Sequence, residues 1–231
     1  MPRKKLGRMR VPPPDEQTAR RYLLWMPGKR LYEQPHSFPE ISSPTLFGNR
    51  RPLEIEVGCG TGEFLCHLAS QNPDANFVGF DIHKKSLYKA VRTAASQDLP
   101  NILFVSADFR LVYPLLPDSS LRAIHLRFPD PGMKPRERKK RLFDRRLLDE
   151  SFRSLQSSGC LLVVTDHREY FEEMLALARR DGRWLISNGV KKPSPDEERP
   201  VSRFERLWMS RGRPAFWLTL QKPPRESAHA R

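Results

Sequence analysis

The chain is short of what a membrane-embedded or a cross-linked secreted protein needs. No stretch of its 231 residues approaches the ~20 consecutive apolar positions of a membrane span, and mean hydropathy is −0.62. A transmembrane helix is excluded. The charged start, Met1 to Arg8, leads into no apolar segment, so no secretory leader is expected and the cytoplasm is the expected location. Cysteine is scarce: Cys59, Cys66 and Cys160 are odd in number and form no C-x-x-C pair, which argues against a disulfide framework and a zinc site. No metal is expected. Acid is short as well, with 27 Asp and Glu against 41 Lys and Arg, a net charge of +14 and a pI near 10.1. That imbalance is the footprint of a protein that binds a polyanion, and nucleic acid is the first candidate partner.

Against that background, Leu53 to Gly62 reads L-E-I-E-V-G-C-G-T-G, an apolar strand entering three alternating glycines, and Glu63 to Ala69 continues as a helix. Glycine lets the backbone turn tightly and approach a ligand with no Cβ between them. The spacing is G-x-G-x-G and lacks the third glycine of the dinucleotide fingerprint, so adenosylmethionine fits better than NAD. A second strand, Asn76 to Asp81, ends in an acid 21 residues after Gly60, where a doubly wound sheet places the carboxylate that takes a ribose.

The length suits one full α/β domain with extensions. Residues 1–52 hold nine prolines and eleven Lys or Arg against four acids, with scattered apolar residues, and read as a basic arm outside the core, from which Tyr22, Leu23, Leu24 and Trp25 are expected to dock. Residues 53–222 read as the catalytic domain and 223–231 as a tail. Within the domain, Leu87, Ala90, Val91 and Ala94 mark one face of a helix over Lys84–Gln97. The strand at Ile102 runs to Asp108, which either faces the ligand crevice or caps a helix starting at Phe109. The strand Leu121–Phe128 enters Pro129-Asp130-Pro131-Gly132, where two prolines frame one carboxylate at the sheet's carboxyl edge; Asp130 is a site residue or a turn former. Lys134 to Arg146 carries eight basic residues and two acids as a basic helix, for phosphate contacts or as a solvated face. That helix is expected to continue to Leu155 and stop at Gly159, followed by a strand Cys160–Thr165 and Asp166. A helix over Glu169–Arg180, a strand from Trp184, a polar loop Lys191–Pro200 and a last strand Ala215–Leu220 complete the chain.

Four separated signatures make the chain resemble the bacterial tRNA (guanine-N7)-methyltransferases from about Leu53 to Gln221. They are I-E-V-G-C-G-T-G at the glycine loop, F-P-D-P before the basic run, T-D-H-R-E-Y after the fifth strand and R-P-V-S-R-F-E near the end. The resemblance implies an α/β class I (Rossmann-like) methyltransferase fold, a seven-stranded, mostly parallel sheet with helices on both faces and an antiparallel last strand. It implies S-adenosyl-L-methionine as cofactor and methyl transfer to N7 of a guanosine in the tRNA variable loop. By position, Glu56, Asp81 and Asp108 match the family's cofactor carboxylates beside Gly58, Gly60 and Gly62, and Asp130 matches its catalytic aspartate. Lys134, Asp166, Ser202, Arg203, Phe204 and Glu205 match substrate-binding positions. The chain departs from the family in Gly132, where a Trp is usual, and in S-R-F-E for T-K-F-E. Alternative readings are a same-fold methyltransferase for another RNA or a small molecule, and an inactive RNA-binding relative. Monomer and homodimer both stay open. Guanine N7 has a lone pair and no proton to lose, so His83, His125 and His167 are expected to be structural.

Overall fold

A computed structural model describes residues 11–191 and 214–225. Three short helices and a strand come first: α1 (Glu16–Tyr22), β1 (Leu23–Trp25), α2 (Gly28–Glu33) and α3 (Ser43–Phe47). Asp15 caps α1, its carboxylate accepting from Thr18 N at 2.9 Å, while Arg20 and Arg21 in the last turn suit the helix dipole. Tyr22, Met26, Leu31 and Ile41 are all buried. Docking at Tyr22–Trp25 is as expected, and the expectation of an arm outside the core is corrected for the flanking elements of residues 16–47. Helices this short show no periodicity, and what orders them is tertiary: β1 pairs in parallel with β4 (Ile102–Ser106).

From Leu53 strands and helices alternate as expected. β2 (Leu53–Val57), α4 (Glu63–Gln71), β3 (Asn76–Asp81) and α5 (Lys84–Ser96) precede β4. β5 (Leu121–Arg127), α6 (Pro135–Arg138), α7 (Arg145–Ser154), β6 (Leu155–Thr165), α8 (Arg168–Asp181), β7 (Leu185–Lys191) and β8 (Ala215–Gln221) follow. All eight strands form one sheet in the order β1-β4-β3-β2-β5-β6-β8-β7, and only β8 runs antiparallel to its neighbours. The count exceeds the expected seven by β1, a three-residue strand at the sheet's edge. The chain winds outward through β3 and β4 on one side of β2 and restarts with β5 on the other. That reversal opens a crevice beyond the carboxyl ends of β2 and β5.

Both faces of the sheet are covered. Phe77, Phe104, Leu65, Leu87, Ala90, Val91 and Ala94 pack under α4 and α5, and the expected stripe of α5 is wholly buried. On the other face Ile55, Val78, Phe80 and Val105 join a cluster that reaches Leu147 and Leu148 of α7 and Met174 of α8. Each such side chain contributes about 1.5–3 kcal/mol on leaving water.

Two local expectations are corrected. The basic run is two helices, not one, because residues 139–144 leave helical geometry before Asp144 caps α7 by accepting from Leu147 N at 2.8 Å. Gly159 does not stop a helix: α7 ends at Ser154 and β6 starts at once, with an irregular register opposite Leu121 to Ala123. Of the two readings of Asp108, the capped helix from Phe109 is present as a 3-10 turn, Phe109–Leu111, followed by a second, Tyr113–Leu115.

Candidate cofactor and substrate site

The glycine loop leaves β2 with Gly58, Gly60 and Gly62 all at positive φ (78°, 56° and 71°), a conformation side chains strain to adopt. Gly58 N and Cys59 N donate to Phe80 O at 2.8 and 2.9 Å, and Gly60 N donates to Asp81 Oδ2 at 2.8 Å. Asp81 Oδ1 accepts from His83 N at 2.7 Å. Asp81 thereby ties the loop to the end of β3, a bracing role beside its expected ligand role. The three glycines differ in what surrounds them. A Cβ on Gly58 or Gly60 would meet nothing within 4 Å, whereas one on Gly62 would lie 2.6 Å from Ala90 Cβ and 2.9 Å from the Phe104 ring. Gly58 and Gly60 leave open space beside the loop, and Gly62 serves close packing under α5.

Below the loop lies a row of buried charge. Glu56 is 3% exposed, and its Oε2 has no hydrogen-bond partner among the described residues. Burial pushes its pKa up to about 7, against the pull of the Arg127 charge and with a further push from Asp81. The Arg127 guanidinium stacks 4.1 Å above the Phe64 ring of α4. Two positions back on the same strand, Glu54 accepts from Arg122 Nε and meets His125 Nε2, both at 2.7 Å. Burial alone would raise Glu54, but the bonds and charges of His125 and Arg122 outweigh it and hold the carboxyl below its ordinary value. Sequence reasoning missed Glu54, Arg122 and Arg127 as partners. The signal was there: a central parallel strand is apolar on both faces, and Glu54 and Glu56 alternate with Leu53, Ile55 and Val57.

Asp108 lies past the end of β4. It caps the first 3-10 turn through Arg110 N at 3.1 Å, and the Arg110 guanidinium holds both its oxygens at 3.0 and 2.7 Å. Those side-chain bonds to Arg110 lead the causes that lower its pKa. Of the two sequence readings for Asp108, the cap is present in the fold. Asp130, exposed beyond the end of β5, accepts from Gly132 N at 3.0 Å, so Asp130-Pro131-Gly132 is a self-braced turn.

Gly132 has φ 55°, and a Cβ there would sit 2.7 Å from the Glu137 carbonyl carbon. The backbone of α6 fills the space that a larger side chain would need. Lys134 is exposed at the start of α6, its N–H donating to Glu137 Oε2 at 3.1 Å. Arg141 is only 9% exposed; it donates to Pro131 O at 2.7 Å, pairs with Glu173 and stacks on Tyr170. Its place in the basic run is structural, while Arg136, Lys139 and Lys140 stay exposed.

Asp166 lies half-buried just past β6, one residue before His167, whose Nδ1 accepts from Tyr170 N at 3.1 Å. His125 and His167 are thus held in structural bonds. Ser202, Arg203, Phe204 and Glu205 lie outside the described residues, as does the expected polar loop beyond Lys191. Among the described residues no cluster of three or more His, Cys, Asp or Glu is arranged to hold a metal, and no helix is long and apolar enough to cross a membrane.

These features fit a nucleoside cofactor with a cationic amino-acid end. Gly58 and Gly60 have room for a ligand against the backbone, and Glu56 presents a buried carboxylate oxygen still without a donor. The parallel sheet with β8 reversed, and a glycine loop at its switch point, defines a class I methyltransferase fold. Solved structures agree. A 16S rRNA (adenine(1408)-N(1))-methyltransferase from Catenulisporales acidiphilia superposes with a TM-score of 0.58 at 17% identity, covering 78% of this chain and 90% of that one. The 16S rRNA methyltransferase KamB gives 0.55 at 20% identity, covering 77% and 91%. Residues 50–218 match the model of the family described as "Putative methyltransferase". The tRNA (guanine-N(7)-)-methyltransferase of Rubrobacter xylanophilus is 51% identical over 223 residues, 96% of this chain and 100% of that protein. The enzyme of the same name from Chloroherpeton thalassium is 38% identical over 94% of this chain and 96% of its own length. The chain belongs to the bacterial tRNA (guanine-N7)-methyltransferase family.

Proposed function

We propose that this protein transfers a methyl group from S-adenosylmethionine to N7 of a guanosine in tRNA, with the variable loop as the target the family resemblance implies. The reading is carried by one juxtaposition: β2 and β5 are directly paired, so the glycine loop and Asp130 emerge side by side at one crevice. When bound, the cofactor supplies an electrophilic sulfonium methyl.

The protein's work is to hold, orient and exclude water. Glu56 accepts from the cofactor's ammonium group, the loop from Gly58 to Gly62 takes the backbone-close part of the nucleoside, and Asp81 takes the ribose hydroxyls. Asp108 stands at the adenine side. Because N7 carries no proton, no general base is required, and alignment of the lone pair with the methyl group is the main demand. Asp130 accepts from the N1–H and N2–H edge of guanine, and its negative charge offsets the positive charge that grows on the purine. Asp166 shares that edge. Extruding the guanosine from its stack costs a few kcal/mol, which phosphate contacts from Lys134, Arg136, Lys139 and Lys140 offset. The segment Ser202–Glu205 adds substrate contacts on the strength of the family motif.

Single-turnover methylation of saturating unmodified tRNA, with product nucleosides identified by mass spectrometry, tests the reading. Asp130→Asn keeps the size of the side chain and loses its charge, so it should cut the rate by about 10²-fold or more and leave cofactor affinity nearly unchanged. A product other than 7-methylguanosine, or an Asp130→Asn protein as fast as the wild type, would sink it.

A further inference from the structure

Arg127 ends β5 beside the glycine loop, and in the reading above it takes no part in holding a ligand. In register, Glu56 of β2 lies opposite His125 of β5 and Val57 opposite Leu126. Strand alternation then puts the side chains of Glu56, His125 and Arg127 on a single face, with Arg127 level with Gly58 at the start of the loop. Phe64, in the first turn of α4, confirms the face by touching both residues of β5: its ring is 5.2 Å from that of His125 and 4.1 Å below the Arg127 guanidinium. Stacking on Phe64 fixes the plane of the guanidinium. A buried carboxylate and a half-buried, oriented guanidinium thus stand on one face of neighbouring strands, offset by two residues and so about 8 Å apart at the backbone.

An anion and a cation so placed are complementary to an amino-acid zwitterion. A carboxylate takes the ammonium, and the fork of an arginine takes the carboxylate through two parallel bonds. We infer that Arg127 is a specificity residue for the cofactor, its guanidinium receiving the α-carboxylate while Glu56 receives the ammonium. The inference rests on the cofactor reading above and goes further, because it makes the amino-acid end of the ligand a recognised element. Ligands that keep the nucleoside and lack the carboxylate are then discriminated against. A merely structural Arg127, there to neutralise Glu56, would give no such discrimination.

Isothermal titration of the full-length protein with four ligands separates these cases: S-adenosylmethionine, S-adenosylhomocysteine, decarboxylated S-adenosylmethionine and methylthioadenosine. The wild type should bind decarboxylated S-adenosylmethionine about tenfold or more weakly than the intact cofactor. Arg127→Met keeps the apolar stem over Phe64. It should weaken the two carboxylate-bearing ligands by about ten- to a hundredfold and leave the other two within about twofold of the wild type. Arg127→Lys, which keeps the charge and loses the fork, should fall between, and it carries the test if the Met variant does not fold. Equal losses for all four ligands, or no loss, would overturn the assignment. So would a wild-type protein that binds the decarboxylated and intact cofactors equally well. A wild type that binds none of the four would instead bring down the cofactor reading, and this inference with it.

Discussion

Cofactor affinity should depend on pH through Glu56. In the free protein burial raises this carboxyl from an ordinary 4.5 to about 7, so at pH 6 about nine-tenths of it is protonated. The other charges facing it are Arg127 on β5 and Asp81 on β3; the neighbouring thiols of Cys59 and Cys66 are pushed up by burial and stay neutral. An ammonium group delivered to Oε2 favours the ionised form. If binding returns the carboxyl to its ordinary range, the gap of about 2.5 pH units corresponds to at most about 3.5 kcal/mol at ~1.4 kcal/mol per unit. The dissociation constant should therefore fall by up to about tenfold per pH unit from 5 to 7 and level off above 7. It should rise again above about 8, where the ligand's own amino group loses its proton. Calorimetry in buffers of different ionisation enthalpy should show about 0.9 proton released per cofactor bound at pH 6. Glu56→Gln should bind weakly with no slope below pH 7. A flat wild-type profile between pH 5 and 7, or a Glu56→Gln protein with the wild-type slope, would refute the reasoning.

The glycines of the loop should separate by function. Both Gly60→Ala and Gly62→Ala place a Cβ at positive φ at about 1–2 kcal/mol. Only at Gly62 does the Cβ also strike Ala90 and Phe104, so Gly62→Ala should lower thermal stability by about 1–3 kcal/mol more, while Gly60→Ala loses mainly cofactor affinity. Replacing Arg136, Lys139 and Lys140 by Ala should weaken tRNA binding and flatten its salt dependence by roughly one unit of logarithmic slope per lost phosphate contact. Arg141→Ala should instead loosen the turn at Pro131, seen as faster proteolysis near residues 132–141 with little change in slope. An Arg141→Ala protein that flattens the salt series as much as the lysine variants would count against its structural assignment. Glu54→Gln should cost about 1–3 kcal/mol in urea denaturation at pH 7, since Arg122 and His125 lose their anion. The folded pKa of Glu54 is depressed, so its contribution is in force above the unfolded carboxyl range and disappears as pH falls through the lowered value. The acid limb of the stability curve should be shallower in the variant.

Where the order of the chain alone decides, the sequence was sufficient. The alternation of apolar strands with a 3.6-period stripe at Leu87, Ala90, Val91 and Ala94 is local, and it specified the βα units and the faces they bury. Three glycines after an apolar strand and an acid 21 residues on were enough to locate the loop, because positive φ is a single-residue property. The same holds for Asp130, whose turn is built by its own neighbours.

Other features exist only because distant segments meet. Residues 16–47 looked like an arm because helices of five to seven residues carry no period; the edge of β4 turns them into core. Lys139, Lys140 and Arg141 are indistinguishable as letters in a basic run. The approach of α8 buries Arg141 against Tyr170 and Glu173 and leaves the lysines to solvent. Glu56 and Arg127 are 71 residues apart and come to share one face of the sheet through the parallel pairing of β2 with β5. Sequence supplied the acid and the cation; the register of the sheet set them on one face of neighbouring strands, the carboxylate buried where it ionises with difficulty and the guanidinium half-buried and oriented by Phe64.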